Sequence, residues 1–431
     1  MASAMQLPVE LWLQVFGFLS WRDKLSMRCT CAHFRHLMDE SRPLWRGFSI
    51  VLTDLPRYNR SFWRSLAQRH VRIVSLRAGK SKDLKQLSTW LAPLHALRLN
   101  NWREDSIKEL KQFSQLKRFS VTSCSKPLMN LDFLSPLSRQ LTQLSICNAQ
   151  LSCSVSHLLA CVTQLTCLTS LLLHHDGSLR IPSLSGVLTS LTELKHLSWT
   201  MITYRTLALD FFSPAHIPAD GDAALQLSDL QLLDYDAVVT QEVLQPLSHL
   251  GSLSIFHLYS VPGPICHLRT WLTSLPQLSS LSVHGGHPLA AYADFLPSSL
   301  LSLTLCVDLQ PEDLQVVSFR IPHLQHLHLD PWSSSSNLVR LLPQLFPQLR
   351  TLRIRHQRVS DEDFLCLQHL QHLNTLEVLD AFYCPDPNHP RVVYEPSPHL
   401  LKLTSDLQKL TSHRVQVITN SHRDPLTCSC V

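Results

Sequence analysis

The sequence predicts an α/β solenoid preceded by a small all-α module. Three observations lead there. A six-residue pattern, apolar-x-x-apolar-x-apolar, returns along most of the chain from residue 71 onward. Between its copies lie amphipathic stretches with apolar residues every three or four positions. Ahead of the first copy, Leu11 to Leu19 are apolar except for Gln14 and Gly17, so a helix there needs cover on more than one face.

The copies read VRIVSL from Val71, LHALRL from Leu94, LKRFSV from Leu116, LTQLSI from Leu141, LTSLLL from Leu168, LKHLSW from Leu194 and LSDLQL from Leu227. They continue as LGSLSI from Leu250, LSSLSV from Leu278, LLSLTL from Leu300, LQHLHL from Leu324, LRTLRI from Leu349 and LNTLEV from Leu373. The mean step is about 25 residues, inside the 20–29 of leucine-rich repeats. Positions four and six are two apart, so in a strand both point into a core. Stretches such as DSIKELKQFSQL and DEDFLCLQHLQHL should then be outer helices, on the convex side. Each unit exposes apolar flanks that only its neighbours cover, so the units stack. The expected architecture is a leucine-rich-repeat solenoid, with parallel strands on the concave face and helices on the convex face.

Local departures matter too. The ninth position, Asn or Cys in the usual repeat, varies here: Trp102, Cys124, Asp176, Tyr235, Gly286 and Trp332. No asparagine ladder is expected. The step from Leu194 to Leu227 carries DFFSPAHIPADGD, a surface loop or a functional projection. The proline-rich CPDPNHPRVVYEPSP should be a loop, followed by a helix over HLLKLTSDLQKL and a short strand at RVQVIT. The implied organisation is a module over 1–50, a linker helix over 51–70, repeats over 71–383, a cap over 384–420 and a flexible tail over 421–431.

Composition excludes several classes. The net charge of +5, with only 16% charged residues, is too mild for nucleic acid, which needs a concentrated basic stripe. The first ten residues carry no Lys or Arg, unlike a signal peptide. Trp21-Arg22-Asp23-Lys24 stops the first apolar run short of the roughly 20 residues a membrane helix needs. Thirteen irregularly spaced Cys read as reduced thiols, in the cytoplasm or nucleus.

What covers the opening segment? Its residues Leu7-Pro8, Glu10-Leu11, Val15-Phe16, Leu19, Arg22-Asp23, Leu25, Cys31, Leu37 and Leu44-Trp45 carry a resemblance. Residues 6–45 resemble the F-box, a three-helix module that binds the Skp adaptor of cullin-based ubiquitin ligases. Ser20, Thr30 and Phe34 stand where the family favours Pro, Val and Trp. Leucine-rich repeats after an F-box mark a subfamily of substrate receptors. The resemblance implies adaptor contact through Leu7, Pro8, Leu11, Val15, Phe16, Leu19 and Leu25, with cullin and RING subunits reached through the adaptor. The residues agree: Pro8 suits a first helical turn, Glu10 suits its dipole, and one side of Leu11–Leu19 can pack on Leu25, Leu37 and Trp45. The other side needs a second cover, from the adaptor or from the first repeats through SFWRSL.

No catalytic constellation, cofactor motif or metal spacing is evident. AGKS at Ala78–Ser81 lacks the first glycine of a phosphate loop, having Val74 in its place. No HExxH or paired CxxC occurs, and Cys29-x-Cys31 falls in an expected helix, where such ligands diverge. Positions three, five and seven of each unit should face outward and form a partner surface. That face gathers His174, His196, His284, His326, His328 and His356 with Arg98, Arg118, Arg353 and Arg355, and the acids Asp229, Asp330 and Glu377. Arg353 and Arg355 beside His326, His328 and His356 are the expected substrate contacts.

The chain ends CSCV, which places Cys428 four residues from the end, as prenylation requires. Ser429 and Cys430 are not aliphatic, and one lipid holds weakly to a membrane. The reading is a non-catalytic substrate receptor of a Skp–cullin–F-box ubiquitin ligase for an unknown protein. A repeat scaffold or inhibitor with a vestigial F-box, and a membrane-tethered adaptor, are the alternatives.

Overall fold

A computed structural model describes residues 7–175, 181–202, 204–214, 225–257, 265–331, 338–356, 359–382 and 396–422. Cys428, most of the proline-rich stretch and the end of the 194–227 insertion lie outside them. The chain divides into two compact units, residues 1–179 and 180–429.

The first unit opens with helices α1 (Val9–Phe18), α2 (Trp21–Thr30) and α3 (Ala32–Glu40) and a 3-10 turn over Arg42–Trp45. Next come β1 (Ser49–Thr53), α4 (Arg60–Gln68), β2 (Ile73–Arg77), α5 (Ser81–Leu91), β3 (Ala96–Trp102) and β4 (Arg118–Cys124). It closes with β5 (Gln143–Cys147), α6 (Val155–Thr163) and β6 (Ser170–His174). Each strand from β1 to β5 pairs in parallel with the next, so that β1 to β6 form one ladder in chain order.

The second unit runs α7 (Ser185–Ser190), β7 (His196–Thr200), β8 (Asp229–Tyr235), α8 (Gln241–Leu244), β9 (Ser252–His257), α9 (Leu268–Ser274), β10 (Ser280–His284) and β11 (Ser302–Cys306). It continues with α10 (Pro311–Arg320), β12 (His326–Leu329), α11 (Leu338–Leu345), β13 (Thr351–Arg355), α12 (Asp361–Leu365), β14 (Thr375–Phe382), α13 (Pro398–Leu410) and β15 (Gln416–His422). Its strands also pair in parallel in chain order.

Every one of the thirteen hexapeptides forms one strand, β2 to β14. Positions four and six, from Val74 and Leu76 to Leu376 and Val378, are at most 3% exposed. Equivalent positions pair across the ladder, as Leu97 with Phe119 and Leu327 with Leu352. The core of each unit is therefore a stack of equivalent layers. Ala78, Asn101, Ser123, Asn148, Asp234 and Gly285 all stand at position eight, and all have positive φ, between 48° and 73°. A left-handed residue turns the chain out of the strand, and Asn, Asp and Gly bear that conformation best. This repeated turn takes the place of an asparagine ladder.

Several expectations need correction. β1 crosses residue 50, so the repeat sheet begins before the linker, and the linker helix proper is Arg60–Gln68. DSIKELKQFSQL forms only a 3-10 turn over Lys108–Gln112, and DEDFLCLQHLQHL splits into α12 and a 3-10 turn over Cys366–His369. The repeat from Leu94 to Leu116 is short, and a 3-10 helix rises about 2.0 Å per residue against about 1.5 Å for an α-helix. Fewer residues thus span the same distance. The 194–227 insertion does not begin as a surface loop: Phe211 and Phe212 are fully buried, with Phe212 6.1 Å from Trp271.

Candidate functional site

The opening helix answers its own question in two stripes. Trp12, Phe16 and Leu19 fall on one face, and Leu11, Val15 and Phe18 on another, about 100° away. The first stripe is the module's core. Phe16 is fully buried with Met38, Leu44 and Trp45, and Trp12, Leu13, Leu19, Met27 and Phe34 pack against them. Phe34 fills its place with an aromatic cluster, 4.7 Å from Trp12 and 5.2 Å from Phe16. Trp45 donates its indole N–H to the Met38 carbonyl at 2.5 Å.

The second stripe stays uncovered although the repeats follow directly. Leu7, Leu11, Val15 and Leu25 are between 39% and 47% exposed, and Phe18 is 92% exposed. Pro8 is exposed and caps α1, its carbonyl accepting from Leu11 and Trp12 at 3.1 and 3.2 Å. Five of the seven expected adaptor contacts are therefore accessible. Phe16 does not, because it is core, and half-buried Leu19 belongs with it. Leu25, expected to help cover α1, faces solvent. Phe18 joins the surface; sequence reading passed over it, though its spacing from Leu11 and Val15 gives it away.

Side chains cap the next two helices. Ser20 caps α2: its hydroxyl accepts from the Asp23 N–H at 3.2 Å and donates to the Asp23 carboxylate at 2.7 Å. Cys31 lies past the end of α2 and caps α3, its sulfur accepting from the Phe34 N–H at 3.4 Å.

On the repeats, most residues at positions three and five face outward, while Ala96, Ser170 and Ser198 are buried. His326 is exposed, 2.6 Å from the Thr351 hydroxyl on the next strand. His328, Arg353 and Glu377 form one rung, with Arg353 Nε 3.5 Å from the Glu377 carboxylate. His196 and Asp229 pair on another rung at 2.8 Å. His356 is half-buried at the end of β13, and burial lowers its pKa.

Position seven breaks the expectation. His174, His284, Asp330 and Arg355 are all no more than 8% exposed. Each is held between neighbouring strands: His174 beside Cys147 at 3.3 Å, and His284 stacked flat on Phe256 at 4.1 Å. Arg355 grips Asp330 with two bonds, of 2.7 and 2.8 Å. Arg355 is thus a structural residue, and the outward patch narrows to Arg353, His326 and His328, because His356 turns toward Phe364 and His399, 6.3 and 5.8 Å away.

A second polar feature lies where β1 and β2 end. A cleft of about 450 Å³ is lined by Arg77, Lys80, Lys82 and Arg103, with Asp54 and Asp83. AGKS borders it, but the Lys80 and Ser81 N–H groups already donate to Asp83 and Glu104, at 2.9 and 3.1 Å. These amides are committed to carboxylates, so the segment is no phosphate loop. No helix among the described residues is long and apolar enough to cross a membrane.

Residues 4–50 match the F-box-like family. No curated protein matches the chain. Among solved structures, an internalin from Listeria monocytogenes is similar at 18% identity, covering 72% of this chain and 88% of that one, with a TM-score of 0.39. The leucine-rich repeat-containing protein LegL7 from Legionella pneumophila shares 14% identity over 85% of this chain and 98% of its own, at a TM-score of 0.40. A leucine-rich-repeat protein of Leptospira interrogans shares 17% over 85% and 99%, at 0.31.

Proposed function

We propose that this protein, an F-box-like domain joined to a leucine-rich-repeat solenoid, is the substrate-recognition subunit of a Skp–cullin–F-box ubiquitin ligase. The observation that carries this reading is the uncovered apolar stripe of α1, inside a segment that matches the F-box-like family. A monomer gains nothing by exposing Leu11, Val15 and Phe18 together, whereas a partner groove that buries them gains roughly 1.5–3 kcal/mol per fully buried side chain. The adaptor is that partner, and cullin and RING subunits follow through it.

The repeats hold the substrate, with Arg353, His326 and His328 as the contact patch. The protein makes and breaks no bonds itself. It ties substrate and ubiquitin-charged enzyme into one assembly, so that lysine attack becomes effectively intramolecular. Ubiquitin-dependent turnover of the bound protein is the output.

Co-expression with the Skp adaptor followed by gel filtration tests this. The wild-type chain should co-elute with the adaptor, and Leu11→Glu with Val15→Glu should abolish co-elution while leaving the chain folded. If the wild-type chain elutes alone, the protein is a repeat scaffold whose F-box is vestigial.

A further inference from the structure

The spacing of His and Cys in the sequence gives no metal motif, yet the fold brings such donors within 4.8 Å of one another at three places among the described residues. Two of these groups are already satisfied by their neighbours. At Cys306, His328 and Asp330, the carboxylate is gripped by the Arg355 guanidinium, which would repel a second cation. At His356, Asp361 and His399, an imidazole and a carboxylate form an exposed pair at 3.0 Å. Asp132, His157 and Cys161 are different.

His157 and Cys161 sit four residues apart on α6, so they share one helical face. Asp132 opens the 3-10 turn Asp132–Leu137 of the preceding repeat. The Nε2 atom of His157 lies 3.4 Å from the Asp132 carboxylate and 3.6 Å from the Cys161 sulfur. The Leu131 N–H donates to the same nitrogen across 3.4 Å, so in the neutral ring Nε2 carries the lone pair. An unprotonated nitrogen cannot donate to the carboxylate beside it. Three metal-ligating atoms therefore converge, and an ion that displaces the Cys161 thiol proton can take all three. The long Leu131 bond is the one given up when it binds.

The surroundings suit an ion that enters from solvent. The Asp132 side chain is 66% exposed, while Cys161 is 6% exposed and forms the floor. A second buried thiol, Cys153, precedes the helix, giving the order Cys153-x-x-x-His157-x-x-x-Cys161. Burial raises the Cys161 pKa, and the charges of Asp132 and Cys153 raise it further. Sulfur with imidazole and carboxylate is the donor set of zinc rather than of magnesium or calcium.

We propose that Asp132, His157 and Cys161 form a structural site for a zinc-class divalent ion, with Cys153 beside them. The ion joins α6 to the turn of the repeat before it, clipping two consecutive repeats together. Binding releases the thiol proton, so affinity rises with pH.

The test uses the full chain, purified with reductant, stripped by chelator and titrated with Co²⁺ as the spectroscopic probe. One equivalent should give thiolate-to-cobalt charge transfer and intense tetrahedral d–d bands, both displaced by Zn²⁺. Cys161→Ser should abolish the charge-transfer band. Asp132→Asn, at an exposed position that does not threaten the fold, should weaken binding roughly tenfold or more. Cys29→Ser, at an exposed thiol on α2, should change nothing. Absence of the bands, or bands that survive both Cys161→Ser and Asp132→Asn, overturns the proposal.

Discussion

Arg69, one residue past the end of α4, donates its Nε–H to the Asp39 carboxylate on α3 at 2.9 Å, and so fastens the three-helix module to the start of the repeats. Arg28 on α2 takes the same carboxylate with two bonds, of 2.8 and 2.7 Å. The Arg69 guanidinium also lies over the Trp45 ring, 4.7 Å from its centre. One carboxylate thus joins α2, α3 and the first repeat. The module presents its exposed stripe from a fixed base rather than from a free tether.

Asp39 should therefore set the acid stability of this junction. Burial pushes its carboxyl up, but hydrogen bonds and charge from Arg28 and Arg69 outweigh that and hold it below the usual carboxylate range. A carboxylate depressed on folding stabilises above its unfolded pKa of about 3.9, and the stabilisation is lost as pH falls through the folded value. Asp39→Asn should remove this acid limb. At pH 7 it should cost about 3 kcal/mol, because Arg69 is left buried and unneutralised. Urea unfolding at pH 7 and pH 3 checks both; equal losses at the two pH values would refute the assignment.

The Asp330–Arg355 pair calls for a different experiment. Both side chains are at most 8% exposed, so breaking the pair strands a charge in the sheet. Asp330→Ala should destabilise by about 3–5 kcal/mol, while Asp330→Leu with Arg355→Met should cost little or nothing. A double-mutant cycle in urea decides. Arg353→Glu, two residues earlier on the same strand and outward, sets a like charge opposite Glu377 and should cost no more than about 1 kcal/mol while weakening substrate capture.

Arg355 also shows where the sequence stops being readable. Alternation is sound inside a strand, and it placed positions four and six in the core and three and five outside. Carried to position seven it fails, because the strand ends there: position eight is left-handed in six units, and residue seven tucks between rungs. Phe16 was misplaced for a simpler reason. A family resemblance names characteristic apolar positions without dividing core from surface, and the Trp12–Phe16–Leu19 spacing was needed to divide them. The Asp132–His157 approach had no signal at all, since it depends on how one repeat stacks on the next.

That division at Phe16 is itself testable. Phe16→Ala should destabilise the module by about 3–5 kcal/mol by emptying its core. Val15→Ala, at an exposed neighbour, should fall within about 0.5 kcal/mol of wild type. In the adaptor assay, Val15→Glu should abolish the complex with the helices intact by circular dichroism. Phe16→Ala should lose the complex only together with helicity. Loss of helicity in Val15→Glu as well would place Val15 in the core and return the surface to question.

Two histidines, His284 buried and His257 half-buried, should make the second unit sensitive to mild acid. The His284 ring is stacked on Phe256 with 3° between their planes and lies 2.8 Å from the Ser282 hydroxyl. His257 packs under Gly286, where a Cβ would lie 2.5 Å from the ring and where φ is +80°. Burial pushes both imidazoles down to about 4. An unfolded histidine titrates near 6.5, so between about 6.5 and 4 the unfolded chain binds protons that the folded chain refuses. Stability must then fall with pH through that window, by up to about 1.4 kcal/mol per pH unit for each ring. The window lies above that of Asp39, so the two can be separated. Urea midpoints measured from pH 7.5 to pH 4.5 should decline for the wild type and flatten for His257→Gln with His284→Gln. An unchanged slope in that double variant would assign the loss to other groups.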